Sequence, residues 1–560
     1  MKTIWQLPKD VPQEMKKQFP EFHPIILSLL YQRGLTTQEQ IDEFFNPDYS
    51  SDLHNPFLFK DMSKAVERIE RARKEKEKVV VYGDFDVDGV TASVVLFKTL
   101  KKIGLNNLEI YIPSRENESH GLNKSALKMF SKKGVKLIIT VDCGSYSNKE
   151  VEEGSKLGID IIVTDHHRPE KKVNAFAFIN PKYKAEKYPY RDLAGVGVSF
   201  KLAQALLSSK QGESYKAFEK WLLDLVALGT IADRMPLLGE NRTLVKYGLL
   251  VLNKTSNLGL RALIKNLGLP LGSLKSDDVA FYLAPCLNSA GRVNHANDSL
   301  ALLLSENKEQ ADKWALKLKE TNNQRQKMLS KTIENLKKRK EELEQKWIFI
   351  ITRNCPTGVA GLAASKIAKD YGKPTVIFLE KHLRGSARVE GDFDLFKSLA
   401  KFKKYFLDFG GHNRAAGFKL KDKIYLESLK KGLLEEAKSI KPEELLPKLF
   451  IDAIVDLEEI DWDLYNEVEK FEPFGEGNEM PNFLVRKVKL IDLETVGKQN
   501  NHCRLYFKGG KKMIYFFVDE ETEEKKLKKG ENYDIVFCLG INQWNGQQEL
   551  QLKVVDLRKS

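Results

Sequence analysis

Three carboxylates fall within five residues at Asp84, Asp86 and Asp88, alternating with Phe85 and Val87 and followed by Gly89. Acids this crowded repel one another unless protons or cations intervene, so a divalent metal site is the simplest chemistry for the stretch. A solvated acidic turn, with Asp84 or Asp88 capping a following helix, is the alternative. Two later stretches carry matching groups, Asp142-Cys143-Gly144-Ser145 and Thr164-Asp165-His166-His167. Neutral imidazole beside carboxylate suits an ion of the Mn2+ or Zn2+ kind. Asp233, ahead of Arg234-Met235-Pro236, would complete a ligand set for two ions; its bland reading is a helix-terminal residue stopped by the proline. Cys143 could be a nucleophile, but the basic partner that activates a thiol is not visible in the sequence, and the residue reads as packing beside Asp142.

Each of these groups needs a strand to deliver it. The apolar run 79–82, closed by Gly83, reads as a buried strand, and 90–100 as the helix after it. Strand-like runs at 108–112, 136–141, 159–163 and 175–179 alternate with helical segments. That alternation predicts an α/β domain with a largely parallel sheet, whose carboxyl edge would gather the acids and imidazoles where ligands bind. Residues 307–346 are rich in Lys, Glu, Leu and Gln and free of Gly and Pro, which predicts a helical strut about 60 Å long between two lobes. A smaller α/β lobe would begin at 347–351. From 446 onward, short strands and polar, Gly-containing turns predict a small β-barrel. Its aromatics Tyr506, Tyr515, Phe516, Phe517 and Trp544 could stack on bases, though alternation assigns about half of them to the interior.

Composition sets the outer limits. A chain of 560 residues predicts three or four domains, and 30% charged with 42% hydrophobic residues describes a soluble globular protein. Residues 1–19 contain no apolar signal core and no run is long enough to span a bilayer, so the expectation is a cytoplasmic protein without a membrane partner. Five scattered cysteines with no CxxC pair support neither a disulfide framework nor a cysteine zinc site. The net charge of +13 favours a polyanionic partner.

The ordered motifs DFDVDG (84–89), VDCGS (141–145), TDHH (164–167), LAGVGVSFKL (193–202) and GTIADRMPL (229–237) resemble those of the DHH phosphoesterase superfamily. With the later motifs, the set is similar to the RecJ family within it, single-strand-specific exonucleases that degrade DNA from the 5′ end. The resemblance implies that Asp86, Asp88, Asp142, His166 and Asp233 hold two divalent ions, Mn2+ or Mg2+, with Asp142 bridging. Asp84 and Asp165 would support these ligands, and His167 would face the substrate. Two ions roughly 4 Å apart can activate a water, neutralise the attacked phosphate and stabilise the leaving oxyanion, so no side-chain nucleophile is required.

Substrate contacts are implied in the same way. Arg115 and His120 lie in the 113–121 segment, His120 standing where the family usually has an aromatic residue. Arg292 closes LAPCLNSAGR (283–292), in which Cys286 replaces a common Arg, and Arg325 closes the N-x-x-R run from Asn322. The second lobe resembles a DHHA1 substrate-binding domain: Ser386 and Arg388 of GSAR, with Gly410, Gly411 and His412 of GGH, suit a terminal phosphate. Pro356 stands where that family has a His. FEPFGEGNEMPNF (471–483) implies an OB-fold for the barrel. The expected domains are 1–345 (DHH, with an N-terminal extension and the connecting helix at about 305–345), 346–445 (DHHA1) and 446–560 (OB).

The implied activity is 5′-3′ exonucleolytic hydrolysis of single-stranded DNA to mononucleotides, in DNA repair and recombination. A single-stranded-DNA-binding protein and a helicase are candidate partners, and a monomer is the default. The alternatives are a DHH phosphodiesterase acting on short oligonucleotides or cyclic dinucleotides, and a non-catalytic DHH-derived replication scaffold.

Overall fold

The computed structural model describes residues 3–115, 118, 121–169, 171–210, 212–497, 501–516, 527–544 and 546–560. It divides into two compact units, Asp48–Pro447 and Thr3–Pro47 with Lys448–Ser560. In the first, strands β1 (Lys78–Tyr82), β2 (Leu108–Tyr111), β3 (Val135–Val141), β4 (Asp160–Thr164) and β5 (Ala177–Ile179) form an all-parallel sheet in the order β2-β1-β3-β4-β5. Helices cover both faces, which is why the strands are largely apolar. Val79 and Val81 of β1 join a buried cluster with α1 (Val87–Lys102), α2 (Gly195–Ser208) and α3 (Leu223–Ala232), whereas Val80 and Tyr82 pack into the opposite one. The strand order reverses between β1 and β3. At such a switch point a crevice opens at the carboxyl ends of the strands, and the acidic turn after β1 lies there.

Helix α4 (Ala284–Val293) and the 30-residue α5 (Lys308–Lys337) lead to the second lobe of this unit. At about 45 Å, α5 is shorter than expected, because the chain leaves the helix at Lys338–Arg339 before a short helix at Lys340–Glu344. The lobe contains β6 (Ile348–Thr352), α6 (Thr357–Tyr371), β7 (Thr375–Leu379), β8 (Arg384–Arg388), β9 (Phe406–His412) and β10 (Ala415–Leu420), with strand order β9-β10-β8-β7-β6. The two lobes touch closely where α4 ends: a Cβ on Gly358 of α6 would stand 1.9 Å from the Arg292 carbonyl oxygen.

The second unit holds a closed five-stranded barrel. Phe483–Val496 pairs with His502–Phe507, that strand with Lys512–Tyr515, then Gln547–Lys559, then Asn532–Trp544, which returns to Phe483–Val496. The first strand is longer than the expected 487–491 because an irregularity at Lys487, whose φ is +52°, lets one continuous strand serve two partners. Phe517 lies outside the described residues, and Tyr506 spends its hydroxyl on Glu494, 2.6 Å away.

Residues Thr3–Pro47, grouped by the sequence reading with the phosphoesterase domain, belong to this second unit instead. Ile4–Gln6 pairs in parallel with Lys448–Phe450, Arg33 bonds Asp452 at 3.1 Å, and the ring of Phe45 meets Phe471 edge-on at 5.1 Å. Among the described residues no helix is long and apolar enough to cross a membrane.

Lys201 on α2 tests how firmly the first unit is built. Its ammonium lies 2.5 Å from Glu240, both side chains are wholly buried, and Glu240 also accepts the Tyr188 hydroxyl at 2.8 Å. Lys201→Ala would strand a buried carboxylate, and urea unfolding should show a loss of about 3–5 kcal/mol. A loss below about 1 kcal/mol would contradict this reading.

Candidate metal centre

The turn after β1 is held by its own acids. Asp86 caps α1, accepting the Gly89 amide at 3.0 Å, a role expected of Asp84 or Asp88. Asp88, in the first turn of α1 and buried, accepts the amides of Gly195 and Val196 at 2.6 and 2.7 Å. Those are the first amides of α2, so a helix N-terminus points at a carboxylate of the site. Gly195 is required there: a Cβ would stand 2.5 Å from Cβ of Asp142. Asp142 follows β3 directly with a φ of +58°, a left-handed conformation that turns the chain at once into Cys143 and Gly144.

Asp165 organises the next loop. Its Oδ1 accepts the amides of His166 and His167 at 2.7 and 3.2 Å and lies 2.8 Å from Nδ1 of His167, while its Oδ2 accepts the Ser145 amide at 2.8 Å. These contacts leave both imidazoles at the sheet edge, their rings 4.7 Å apart. Nε2 of His166 then lies 3.2 Å from Asp142, 3.5 Å from Asp233 and 3.8 Å from Asp88.

Three overlapping groups result. Asp84, Asp86 and Asp142 form one, Asp88, His166 and Asp233 a second, and Asp142, His166 and His167 a third; within each, the ligand atoms lie within 4.8 Å of one another. The five expected ligands are therefore together. Asp84, expected in support, stands in the same group as Asp86 and Asp142. Oδ1 of Asp142 is buried and accepts no hydrogen bond, so the pocket contains an acceptor that the protein does not satisfy. An oxygen-rich set with one imidazole fits Mn2+ or Mg2+.

Electrostatics point the same way. Burial, then the neighbouring carboxylates, push Asp88 and Asp142 well above the ordinary carboxylate range and Asp233 up to about 7. Burial, then the charges of His167 and Lys182, lower His166 to about 3, so its ring is neutral and able to ligate. Burial would also lower His167, but the Asp165 carboxylate overrides it and carries the ring up to about 9. Cys143 is buried and its thiol is pushed up, first by burial and then by Asp84, which removes it as a nucleophile and leaves the packing role.

Family models match residues 78–230 (DHH family, N-terminal domain), 344–440 (DHHA1 domain) and 451–556 (RecJ OB domain). A single-stranded-DNA-specific exonuclease RecJ of Bacillus subtilis is 34% identical over 99% of this chain and 71% of its own length. The chain belongs to the RecJ family. The crystal structure of a RecJ from Thermus thermophilus in complex with Mn2+ superposes with a TM-score of 0.85 at 25% identity, covering 100% of this chain and 80% of that one. A second RecJ, an exonuclease bound to manganese, gives a TM-score of 0.60 at 29% identity over 70% of this chain and 98% of that one.

In this RecJ-family chain a cationic group adjoins the acids. Arg115 lies over the Phe85 ring at 4.9 Å, and Arg292 donates to the Gly358 carbonyl at 3.2 Å. Arg388 extends from β8 to Gly361 of α6, where a Cβ would stand 2.8 Å from its guanidinium. Arg325 is held by Asn322 at 2.9 Å. Burial, followed by repulsion from Arg115 and Arg325, lowers Arg292 to about 10. Among the described residues none of these four arginines has a carboxylate partner within salt-bridge distance, as expected of cations kept for a phosphate chain.

In the sheet register of the second lobe Gly410 faces Gly417, which faces Ser386, and His412 faces Ala415, which faces Arg388, so both motifs share one end of the sheet. Gly410, Gly411 and His412 are exposed. His120 lies outside the described residues. Sequence reasoning missed Arg384, which donates to the Arg115 carbonyl at 3.3 Å, and Lys182, whose field reaches His166 and Asp233. Lys182 could have been found by its position just beyond β5, at the same sheet edge as the histidines.

Metal affinity should depend on pH in a defined sense. Asp233 rises from the ordinary value of 3.8 to about 7 on folding. Metal-free protein therefore loses stability as pH rises between those values, and an ion that favours the carboxylate restores it. The rise in melting temperature on adding Mn2+ should be larger at pH 7.5 than at pH 5.5; equal shifts would contradict the site.

Proposed function

We propose that this chain is a metal-dependent exonuclease that hydrolyses single-stranded DNA from its 5′ end to mononucleotides. What carries the reading is the linked set of carboxylates and imidazoles around Asp142 and His166, beside four arginines that have no carboxylate partner within salt-bridge distance among the described residues. One group binds cations and the other a polyanion, and a phosphodiester needs both at its reacting phosphorus. Asp84, Asp86 and Asp142 would hold one divalent ion, and Asp88, His166 and Asp233, with Asp142 again, the other. Mn2+ or Mg2+ bound there supplies water activation and charge neutralisation.

The remaining roles belong to the protein. Asp165 fixes the ring of His167, and that imidazolium donates to a non-bridging oxygen of the attacked phosphate. Arg115, Arg292, Arg325 and Arg388 neutralise the strand and hold it in line, while Ser386, Gly410, Gly411 and His412 receive its terminal phosphate. On this reading residues 346–445 form the end-binding lobe, and the barrel within 446–560 holds the strand farther along. A role in repair and recombination, a single-stranded-DNA-binding protein and a helicase as partners, a monomeric state and a cytoplasmic location complete the proposal, supported by family resemblance.

A 5′-phosphorylated single strand, its duplex and a dinucleotide, each incubated with Mn2+, separate the readings. Loss from the 5′ end of the single strand alone is expected. Cleavage of only the dinucleotide would favour an oligonucleotide phosphodiesterase, and no cleavage at all a scaffold. Asp142→Ala should lower turnover by roughly a thousandfold or more while DNA binding persists through the basic residues. Full activity in that variant would refute the ligand assignment.

A further inference from the structure

One buried asparagine joins three loops at the carboxyl edge of the first sheet. The side-chain amide of Asn180 donates to Oγ of Ser145 at 2.7 Å and to the His167 carbonyl at 2.8 Å, and its Oδ1 accepts the Lys182 amide at 2.8 Å. Asn180 itself is wholly buried. The loops so joined carry Tyr146, Arg168 and Lys182.

Tyr146 is 64% exposed, yet it is anchored: its hydroxyl donates to the Arg168 carbonyl at 2.7 Å. A large ring tethered in water contributes little to a core and offers a flat apolar surface to a base. Neither exposed Arg168 nor half-buried Lys182 has a carboxylate partner within salt-bridge distance among the described residues. Lys182 follows β5 at one edge of the sheet, its amide bonded to Asn180, whereas Arg115 follows β2 at the other edge, its guanidinium over Phe85. The centre thus has cations on two flanks, and the described arginine group occupies only one.

We propose that Tyr146, Arg168 and Lys182 form a nucleotide subsite on the His166–Asp233 flank, the tyrosine ring stacking on one base and the two cations holding the phosphate next to the one being cut. The subsite rests on the exonuclease reading and gives it a second anchor, so that the strand is held on both sides of the reacting phosphorus. Stacking of this kind has no base preference, as a degradative enzyme requires.

Steady-state kinetics on a single strand with Mn2+ test it. Tyr146→Ala should raise KM by roughly 5- to 150-fold, well beyond any change in kcat, and Tyr146→Phe should keep most of the affinity. With a single abasic nucleotide stepped through the first four positions, one position should reproduce that loss in the parent, and at that position Tyr146→Ala should be indifferent to the missing base. Lys182→Met should reduce the slope of log KM against log salt by about 0.7, the value for one phosphate contact on a single strand.

A Tyr146→Ala variant that responds to the abasic series as the parent does overturns the proposal, as does a Lys182→Met slope equal to the parent's. Should Tyr146→Ala not fold, the parent's abasic series decides: no position costing more than twofold overturns the stacking. If the parent does not shorten a single strand at all, the exonuclease reading fails and the subsite with it. A parent that shortens the strand normally while the variants match it overturns the subsite alone.

Discussion

Mutual repulsion among buried and half-buried carboxylates is the constraint on which the rest of this molecule depends. Asp84, Asp86, Asp88, Asp142 and Asp233 converge at the switch point of a parallel sheet, and three of them are driven toward protonation by burial and by one another. Such a cluster is a cost to the fold until cations arrive. The surroundings show how it is tolerated. The N-terminus of α2 donates two amides to Asp88, and Asp165 takes four donors so that two histidines can stand at the rim. Neither arrangement neutralises the acids completely, and that residual charge is what gives the centre its affinity for divalent metal.

Precision at the centre comes from backbone geometry. Asp142 occupies a left-handed conformation that costs about 1–3 kcal/mol and is imposed by its neighbours. Gly195 lets the first turn of α2 touch that residue, and Gly358 lets α6 of the second lobe touch the end of α4, where Arg292 lies. The same kind of close contact therefore places the acids and Arg292 alike. Acids and arginines thus share one frame, and groups held in one frame keep their mutual geometry.

Much of this was legible in the sequence because the chemistry is local. DFDVDG, VDCGS and TDHH each follow an apolar strand, and parallel strands deliver their carboxyl ends to one edge, so Asp86, Asp142 and His166 could be brought together on paper. The division of labour among Asp84, Asp86 and Asp88 was not legible, because spacing within a turn does not say which of three carboxylates faces inward. Lys182 was missed because a lysine after a short strand carries no motif; its place just beyond β5 was the one available signal, and the bond of its amide to Asn180 fixes it. The position of Thr3–Pro47 was illegible for another reason: its partners, among them Asp452 and Phe471, lie more than 400 residues away. The long first barrel strand was cut short on paper because a bulge at Lys487 breaks the alternation by which strands are read.

The central claim is that these acids exist to hold two ions around Asp142. Anomalous diffraction from crystals soaked in Mn2+ tests it most directly. Two peaks roughly 4 Å apart are expected, one among Asp84, Asp86 and Asp142 and the other among Asp88, Asp142, His166 and Asp233. A single peak, or peaks elsewhere with none at the turn after β1, would contradict it.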